Sequence, residues 1–230
     1  MTGRPQLGSP RVHLRQVGST NTLARELAAA GAPHGTLVTA DEQLAGRGRQ
    51  GRAWMAPPGT SLVSSWLIRE PSPLLSLAAG VAVAEISGER ALIKWPNDVL
   101  IDTRKVSGIL VEGRPQERWA VLGIGINVAI DPADFPDELR DRAGSLGLKR
   151  ADVEPTLNRL RDALARWVAA PGAEVLAAVR ARDALIGQTV VWADGSGVAA
   201  GIDHNGRLVV TLGDGVEVKL DAGEVHLSRS

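Results

Sequence analysis

The chain has 230 residues, and its 26 Lys and Arg residues balance 26 Asp and Glu residues to a formal net charge of zero. This balance argues against bulk electrostatic attraction to nucleic acid or to a membrane surface, so we expect neither as a partner. The absence of cysteine excludes a disulfide scaffold, a thiolate zinc site and cysteine catalysis. Residues 1–16 lack the apolar segment of a signal peptide, so we expect a cytoplasmic protein.

Strand and helix patterns alternate through most of the chain. Alternating or β-branched runs predict strands at residues 12–17, 36–42, 61–68, 91–95, 106–113 and 119–128. Apolar residues at helical spacing predict helices at about 20–30, 74–87, 157–167 and 173–185. The second of these helices is apolar nearly all round, so we expect it to be buried. Together these elements predict an α+β domain.

The character of the sequence changes after residue 185. The dipeptides that punctuate its alternating strands at hairpin spacing are Asp194-Gly195, Asn205-Gly206 and Asp214-Gly215. This pattern predicts a small antiparallel barrel or meander. We therefore divide the chain into residues 1–185 and residues 186–230.

A glycine-rich segment at residues 45–59 belongs to no regular element. Its sequence GRGRQG at 46–51 matches G-x-G-x-x-G, but Trp54 and the prolines that follow prevent the helix that a dinucleotide-binding turn must open. A protein-kinase loop is also excluded, because no H-R-D or D-F-G motif occurs. Its glycines and arginines suit a loop that binds phosphate or carboxylate, and the alternative is a flexible, solvated basic loop.

Four motifs follow one another along the chain: GRGRQGRAW at 46–54, KWPNDVL at 94–100, KVSGILVEG at 105–113 and GIGINV at 123–128. With Gly18-Ser19-Thr20-Asn21 and Gln43 upstream, this series resembles the biotin protein ligases from about residue 12 to the last residue. The resemblance implies a mixed β-sheet catalytic domain flanked by helices, of the class II synthetase-like biotin ligase fold. It also implies a small C-terminal SH3-like β-barrel.

The resemblance further implies a ligase that activates biotin with ATP as biotinyl-5′-AMP. The biotinyl group then passes to a lysine of a biotin carboxyl carrier protein, so biotin and ATP are substrates and Mg²⁺ is a cofactor. The motifs begin by Ser19, which leaves no room for the DNA-binding domain of bifunctional members. We therefore expect the monofunctional type without repressor activity, and we leave a homodimer open.

Matching family positions give each candidate residue a role. Catalysis is implied for Lys105, Arg49 and Asp98, and Asp98 is also the candidate Mg²⁺ ligand. Biotin contacts are implied for Ser19, Thr20, Asn21, Gln43, Gly46, Arg47, Arg49, Lys105, Gly108 and Gly125. ATP contacts are implied for Arg49, Arg52, Trp54, Asn97, Lys105 and Asn127.

Each role has a structural alternative. Helix capping would account for Ser19 and Thr20, loop anchoring for Trp54, and an Asx turn for Asp98. Lys105 would be a surface lysine at a turn, and the glycines would serve bulges or packing. For the whole protein, the alternatives are a lipoate or octanoate ligase and a biotin-sensing co-repressor without catalysis. We also expect the loop at 45–59 to be open without ligand and to close over biotinyl-AMP.

Overall fold

The computed structural model describes residues 6–221 and 225–227, apart from the side chains of Arg114 and Pro115. Its first elements are β1 (Arg11–Val17), α1 (Thr20–Ala29), β2 (Leu37–Gln43), β3 (Ser61–Arg69), α2 (Leu75–Ser87), β4 (Ala91–Lys94), β5 (Asp98–Ile101), β6 (Arg104–Arg114) and β7 (Trp119–Asn127). They are followed by α3 (Val153–Ala169), α4 (Gly172–Arg180), β8 (Thr189–Trp192), β9 (Gly195–Ile202), β10 (Leu208–Thr211), β11 (Glu217–Leu220) and β12 (His226–Leu227).

A seven-stranded sheet in the order β1-β2-β3-β7-β6-β5-β4 forms the centre of the molecule. Its β1–β2 pair is parallel, and the other neighbours are antiparallel, so the sheet is mixed as predicted. One face packs against α2, which α3 and α4 cover in turn. The uniformly apolar α2 is buried there, as its sequence predicts.

The other face of the sheet is covered only in part. Helix α1 packs its Ala24 and Ala28 against Val38, Leu67 and Val121. Beyond this contact, three glycines of β6 and β7 line the same face: Gly108, Gly123 and Gly125. Gly108 of β6 pairs with Gly125 of β7, so two neighbouring positions of the sheet have no side chain. We call these three residues the glycine face, and the shallow surface that they leave is where a loop or a ligand can lie close to the backbone.

A second sheet holds β8 to β12 in the order β11-β10-β9-β8-β12. The predicted hairpins are confirmed, since β8 pairs with β9, β9 with β10 and β10 with β11. The expected closure into a barrel is wrong for the described residues, because β11 and β12 are the two edges of the sheet and do not pair with each other. The C-terminal unit is therefore an open antiparallel sheet.

The C-terminal sheet packs against the larger domain through a turn. The indole Nε1 of Trp95 donates a hydrogen bond of 2.9 Å to the carbonyl of Gly206. Gly206 has a φ of 82°, and a Cβ there would lie 2.6 Å from Leu74 Cδ2, so this position requires glycine. The sheet thus supports the corner that leads into Asn97 and Asp98. Because the two sheets lie on either side of residue 185, we propose a domain boundary after that residue.

Two predicted elements differ from the structure for tertiary reasons. The helix predicted to residue 185 ends at Arg180, because Ile93 donates to the carbonyl of Arg182 and accepts from Ala184, so this segment runs beside β4. Strand β5 was not predicted, because its four residues follow a turn and form a strand only by pairing with β4 and β6. Among the described residues, no helix has the length and apolarity needed to span a membrane.

Candidate active site

The glycine-rich segment folds as a tight hairpin. Trp54 N donates to the carbonyl of Gly46 at 2.9 Å, and Gly48 N donates to the carbonyl of Arg52 at 2.7 Å. At the tip, Gln50 and Gly51 have φ values of 55° and 75°. A Cβ on Gly46 would lie 2.4 Å from the Trp54 carbonyl oxygen, so the two arms meet only because this residue is glycine. The glycines therefore build a hairpin and not a dinucleotide-binding turn.

Trp54 anchors this hairpin on the glycine face. A Cβ on Gly125 would lie 2.5 Å from Trp54 Cε2, and a Cβ on Gly108 would lie 3.2 Å from Trp54 Cζ3. The indole ring therefore lies directly on the backbone of β6 and β7. Its Nε1 is buried without a hydrogen-bond partner, although a buried indole N–H usually has one. Two cavities of the described residues lie beside Trp95 and beside Trp119, away from this slot.

A group of polar residues, all but one of them buried, borders the glycine face on the α1 side, and we call it the polar wall: Ser19, Thr20, Asn21, Gln43 and Ser65. Thr20 N and Oγ1 lie 2.8 and 2.9 Å from Gln43 Oε1. Ser65 Oγ contacts both Thr20 Oγ1 and Asn21 Oδ1. Ser19 is the N-cap residue of α1, yet its side chain forms no capping hydrogen bond, so capping does not account for it. Gln43 itself is only half-buried.

Asn21 lies against the glycine face itself. A Cβ on Gly123 would lie 2.3 Å from Asn21 Oδ1, so the amide fits only because that residue has no side chain. Gly123 and Gly125 are two residues apart on one strand, a separation of ~7 Å. The glycine face thus runs from Asn21 at one end to the indole of Trp54 at the other.

The charged residues gather beyond Trp54. Lys105 Nζ lies 2.7 Å from Asp98 Oδ1, and a Cβ on Gly108 would lie 3.1 Å from the same ammonium. Asp98 Oδ1 is buried. It forms an ion pair with Lys105 but has no hydrogen-bond donor in good alignment. Arg49 Nη1 donates to Asn97 Oδ1 at 3.3 Å. We call Arg49 and Lys105 the cationic end.

Three further predicted site residues belong to neither the polar wall nor the cationic end. Asn127 is buried, donates from Nδ2 to the carbonyl of Gly144 at 2.8 Å and contacts Ser61 Oγ at 3.4 Å. Arg47 donates to Thr22 Oγ1 of α1 at 2.9 Å, so it ties the hairpin to that helix. Arg52 is exposed on the hairpin.

The predictions from sequence omitted two residues of this region, Ser65 and Glu112. Ser65 belongs to the pair Ser64-Ser65 between apolar runs of strand β3, and a polar pair in a buried strand is a signal that could have been used. Glu112 lies on β6 and accepts a hydrogen bond from Asn21 Nδ2 at 2.8 Å. Asn21 and Glu112 are separated by 91 positions in the sequence, so no local pattern connects them.

Comparison with known proteins places the chain among enzymes with these motifs. A model of the biotin/lipoate A/B protein ligase family matches residues 13–129, and a model of the biotin protein ligase C-terminal domain matches residues 185–228. A biotin--[acetyl-CoA-carboxylase] ligase of Mycobacterium tuberculosis is 35% identical over 239 residues, which cover 92% of this chain and 87% of the relative.

Two further comparisons show how much of the chain aligns with known proteins. The bifunctional ligase/repressor BirA of Bacillus subtilis is 45% identical over 152 residues, which cover 61% of this chain and 47% of BirA, so the chain matches about half of that relative's length. The structure of a biotin protein ligase from Aquifex aeolicus in complex with biotin and ATP aligns with a TM-score of 0.79 and 29% identity, covering 96% of this chain and all of that one. The chain therefore belongs to the biotin/lipoate A/B protein ligase family and is similar throughout to its biotin protein ligases.

Proposed function

We propose that this chain is a biotin protein ligase, which activates biotin with ATP and transfers the biotinyl group to a lysine of a biotin carboxyl carrier protein. The observation that carries the proposal is the arrangement of the polar wall and the cationic end at opposite ends of the glycine face. Biotin has the same polarity, with a polar ureido edge on an apolar bicycle at one end and a carboxylate at the other. Such a ligand needs an apolar slot with a few convergent polar groups.

In this proposal the indole of Trp54 moves off the glycine face when biotin enters, and the biotin ring takes its place there with its ureido edge at the polar wall. Trp54 then covers the ligand, and its Nε1, which has no partner in the present arrangement, is a donor that a ligand oxygen would satisfy. A relative supports biotin and ATP as the substrates, since the structure of the Aquifex aeolicus ligase was solved with both. The carrier of a carboxylase is the acceptor that the names of the Mycobacterium tuberculosis and Paracoccus denitrificans relatives suggest.

Activation of biotin has to overcome repulsion between two anions. An oxygen of the biotin carboxylate attacks the α-phosphorus of ATP, the bond from that phosphorus to the bridging oxygen breaks, and pyrophosphate leaves. Two like charges ~3.5 Å apart repel by ~5 kcal/mol at an effective dielectric constant of ~20. Lys105 and Arg49 offset this repulsion, because preorganised cations stabilise the charge that develops as the bond forms.

Transfer to the carrier requires a neutral amine. The lysine amine attacks the acyl carbon of biotinyl-AMP, AMP leaves, and the amine loses a proton. With a reference pKa of ~10.4, only about one lysine in a few thousand is neutral at pH 7. Asp98 lies beside Lys105 and is the candidate to accept that proton.

The residues present fit a magnesium ion held mainly by the nucleotide. Among the described residues, no group of three or more His, Asp or Glu side chains could hold a metal ion alone. Mg²⁺ commonly takes one or two carboxylates together with phosphate and water oxygens. Asp98, whose Oδ1 accepts no aligned hydrogen bond, would supply such a carboxylate. When bound, the ion neutralises the charge on the departing pyrophosphate.

A single incubation tests the proposed function. The chain is mixed with ATP, Mg²⁺ and labelled biotin, with labelled lipoate in a parallel sample, and each with and without a carrier domain. We expect a biotinyl adenylate without carrier and labelled carrier when it is present. Label from lipoate alone would indicate a lipoate ligase, and biotin binding without adenylate would indicate a binding protein; either result contradicts the proposal.

Ligand should protect the hairpin from trypsin, which cleaves after arginine. Besides Trp54, contacts such as those of Arg47 with Thr22 and of Arg49 with Asn97 hold the hairpin, and a loop outside the core opens more readily than the central sheet does. Biotinyl-AMP supplies counter-charge to the arginines, so cleavage after Arg47, Arg49 and Arg52 should slow. Closure also keeps water and stray amines from the adenylate.

A double variant separates the hairpin from the rest of the site. Replacing Arg47 and Arg49 together with glutamine should speed the release of biotinyl-AMP more than it weakens biotin binding. The matched control replaces Arg90 and Arg118, which form exposed ion pairs elsewhere, and it should change neither quantity. Equal cleavage with and without ligand, together with equal losses in both affinities, would show that the hairpin is a static wall.

A further inference from the structure

Glu112 organises the polar wall through its contact with Asn21. Its Oε2 accepts a hydrogen bond from Asn21 Nδ2 at 2.8 Å. Its Oε1 lies 3.4 Å from Arg25 Nη1, and Oε2 lies 3.7 Å from Arg47 Nη2. Two guanidinium groups therefore provide counter-charge to a carboxylate that is largely withdrawn from water. The contact with Asn21 is the shortest of the three, so it decides how that amide is oriented.

The orientation of Asn21 determines where the hydroxyl protons of the wall point. A carboxylate only accepts hydrogen bonds, so Asn21 turns its NH₂ group to Glu112 and its Oδ1 to Ser65. Since Oδ1 cannot donate, the Ser65 hydroxyl donates to it. Thr20 Oγ1 then meets two atoms, Gln43 Oε1 at 2.9 Å and Ser65 Oγ at 2.8 Å.

These contacts leave the wall one proton short. The backbone N–H of Thr20 identifies the facing atom of Gln43 as Oε1, an amide oxygen that only accepts, so it cannot supply a proton to Thr20 Oγ1. The hydroxyls of Thr20 and Ser65 carry two protons for three oxygen–oxygen contacts: Thr20 to Gln43, Thr20 to Ser65, and Ser65 to Asn21. A buried acceptor without a donor is costly. The wall therefore favours a ligand that brings N–H donors.

We propose that Glu112 is a positioning residue for specificity: through Asn21 it keeps the polar wall rich in acceptors, and the wall thereby selects the N–H groups of a ureido ring. This proposal rests on the proposed function, because it assumes that the ureido edge of biotin lies at the wall. A lipoyl ring carries sulfur and no N–H, so it leaves the wall short of its proton. Sites built around a hydrogen bond discriminate strongly against ligands that lack it.

Kinetics of Glu112→Gln test this role by biotin-dependent ATP–pyrophosphate exchange. The glutamine keeps the size of the side chain but can donate to Asn21 Oδ1, so the amide can turn round and supply the missing proton from within the wall. We expect KM for biotin to rise ~10-fold, the effect of one hydrogen bond, with kcat and KM for ATP within about twofold of wild type. Glu70→Gln, which removes an exposed carboxylate from an ion pair with Arg118, is the matched control and should change nothing.

A double-mutant cycle with Asn21→Ala shows whether Glu112 acts through Asn21. Without the amide, adding Glu112→Gln should raise KM for biotin no further. If Glu112→Gln does not fold, Glu112→Asp takes its place, because it keeps the charge between the arginines but no longer reaches Asn21. An unchanged KM, an equal fall in kcat, or additive effects in the cycle would overturn the proposal. A wild-type chain without biotin-dependent exchange would instead overturn the proposed function.

Discussion

Replacing Lys105 with alanine should lower the rate of biotin-dependent ATP–pyrophosphate exchange by ~10²–10³-fold, the range for losing one preorganised donor to a developing charge. The ammonium lies beside the glycine face and 2.7 Å from Asp98 Oδ1, so its removal also leaves a buried carboxylate oxygen without its counter-ion. Both effects oppose the approach of biotin's carboxylate to the α-phosphate. The loss should appear in kcat, because the interaction is stronger in the transition state than in the ground state.

Two further variants define what Lys105 provides. Lys105→Arg should not restore the rate, since a planar guanidinium is larger and its charge is more spread than that of an ammonium. Lys219→Ala removes an exposed lysine from the C-terminal sheet and should leave the exchange rate unchanged. Exchange within threefold of wild type in Lys105→Ala would contradict the assignment.

Adding one methyl group to the glycine face should also impair the enzyme. A Cβ on Gly125 would overlap the ring of Trp54 at 2.5 Å, and it would occupy the slot in which we place biotin. Overpacking of this kind costs ~1–3 kcal/mol, which corresponds to ~5–150-fold. We therefore expect Gly125→Ala to raise KM for biotin by at least ~10-fold and to speed tryptic cleavage of the hairpin.

Helix α2 offers the matched control. A Cβ on Gly80 would lie 3.5 Å from Ile93 Cγ2, an ordinary contact, so Gly80→Ala adds the same methyl group without overlap. It should leave KM for biotin unchanged and stabilise the helix by up to ~1 kcal/mol, which thermal unfolding can measure. A wild-type KM in Gly125→Ala would show that neither Trp54 nor biotin needs this surface.

The elements of the main domain could be read from the sequence because their hydrophobic patterns are strong. The runs around Leu62 and Val121 predicted strands, and the apolar stretch that became α2 predicted a buried helix. The failures lie where pairing with distant residues overrides local preference. The segment after Arg180 leaves the helix to run beside β4, and the C-terminal strands do not close into a barrel within the described residues.

Local sequence alone determined the family and the residues to examine. Short motifs contain the residues of such sites, for example a loop of glycines and arginines or a lysine near a glycine in a strand. GRGRQGRAW and KVSGILVEG could therefore be recognised without a structure. Tertiary structure alone decided which of these residues meet. Trp54 contacts Gly108 and Gly125 together because β6 and β7 are neighbours in the sheet, and Glu112 contacts Asn21 across 91 positions because α1 packs on that same face. Strand order and register arise from packing over the whole chain, and no local pattern encodes them.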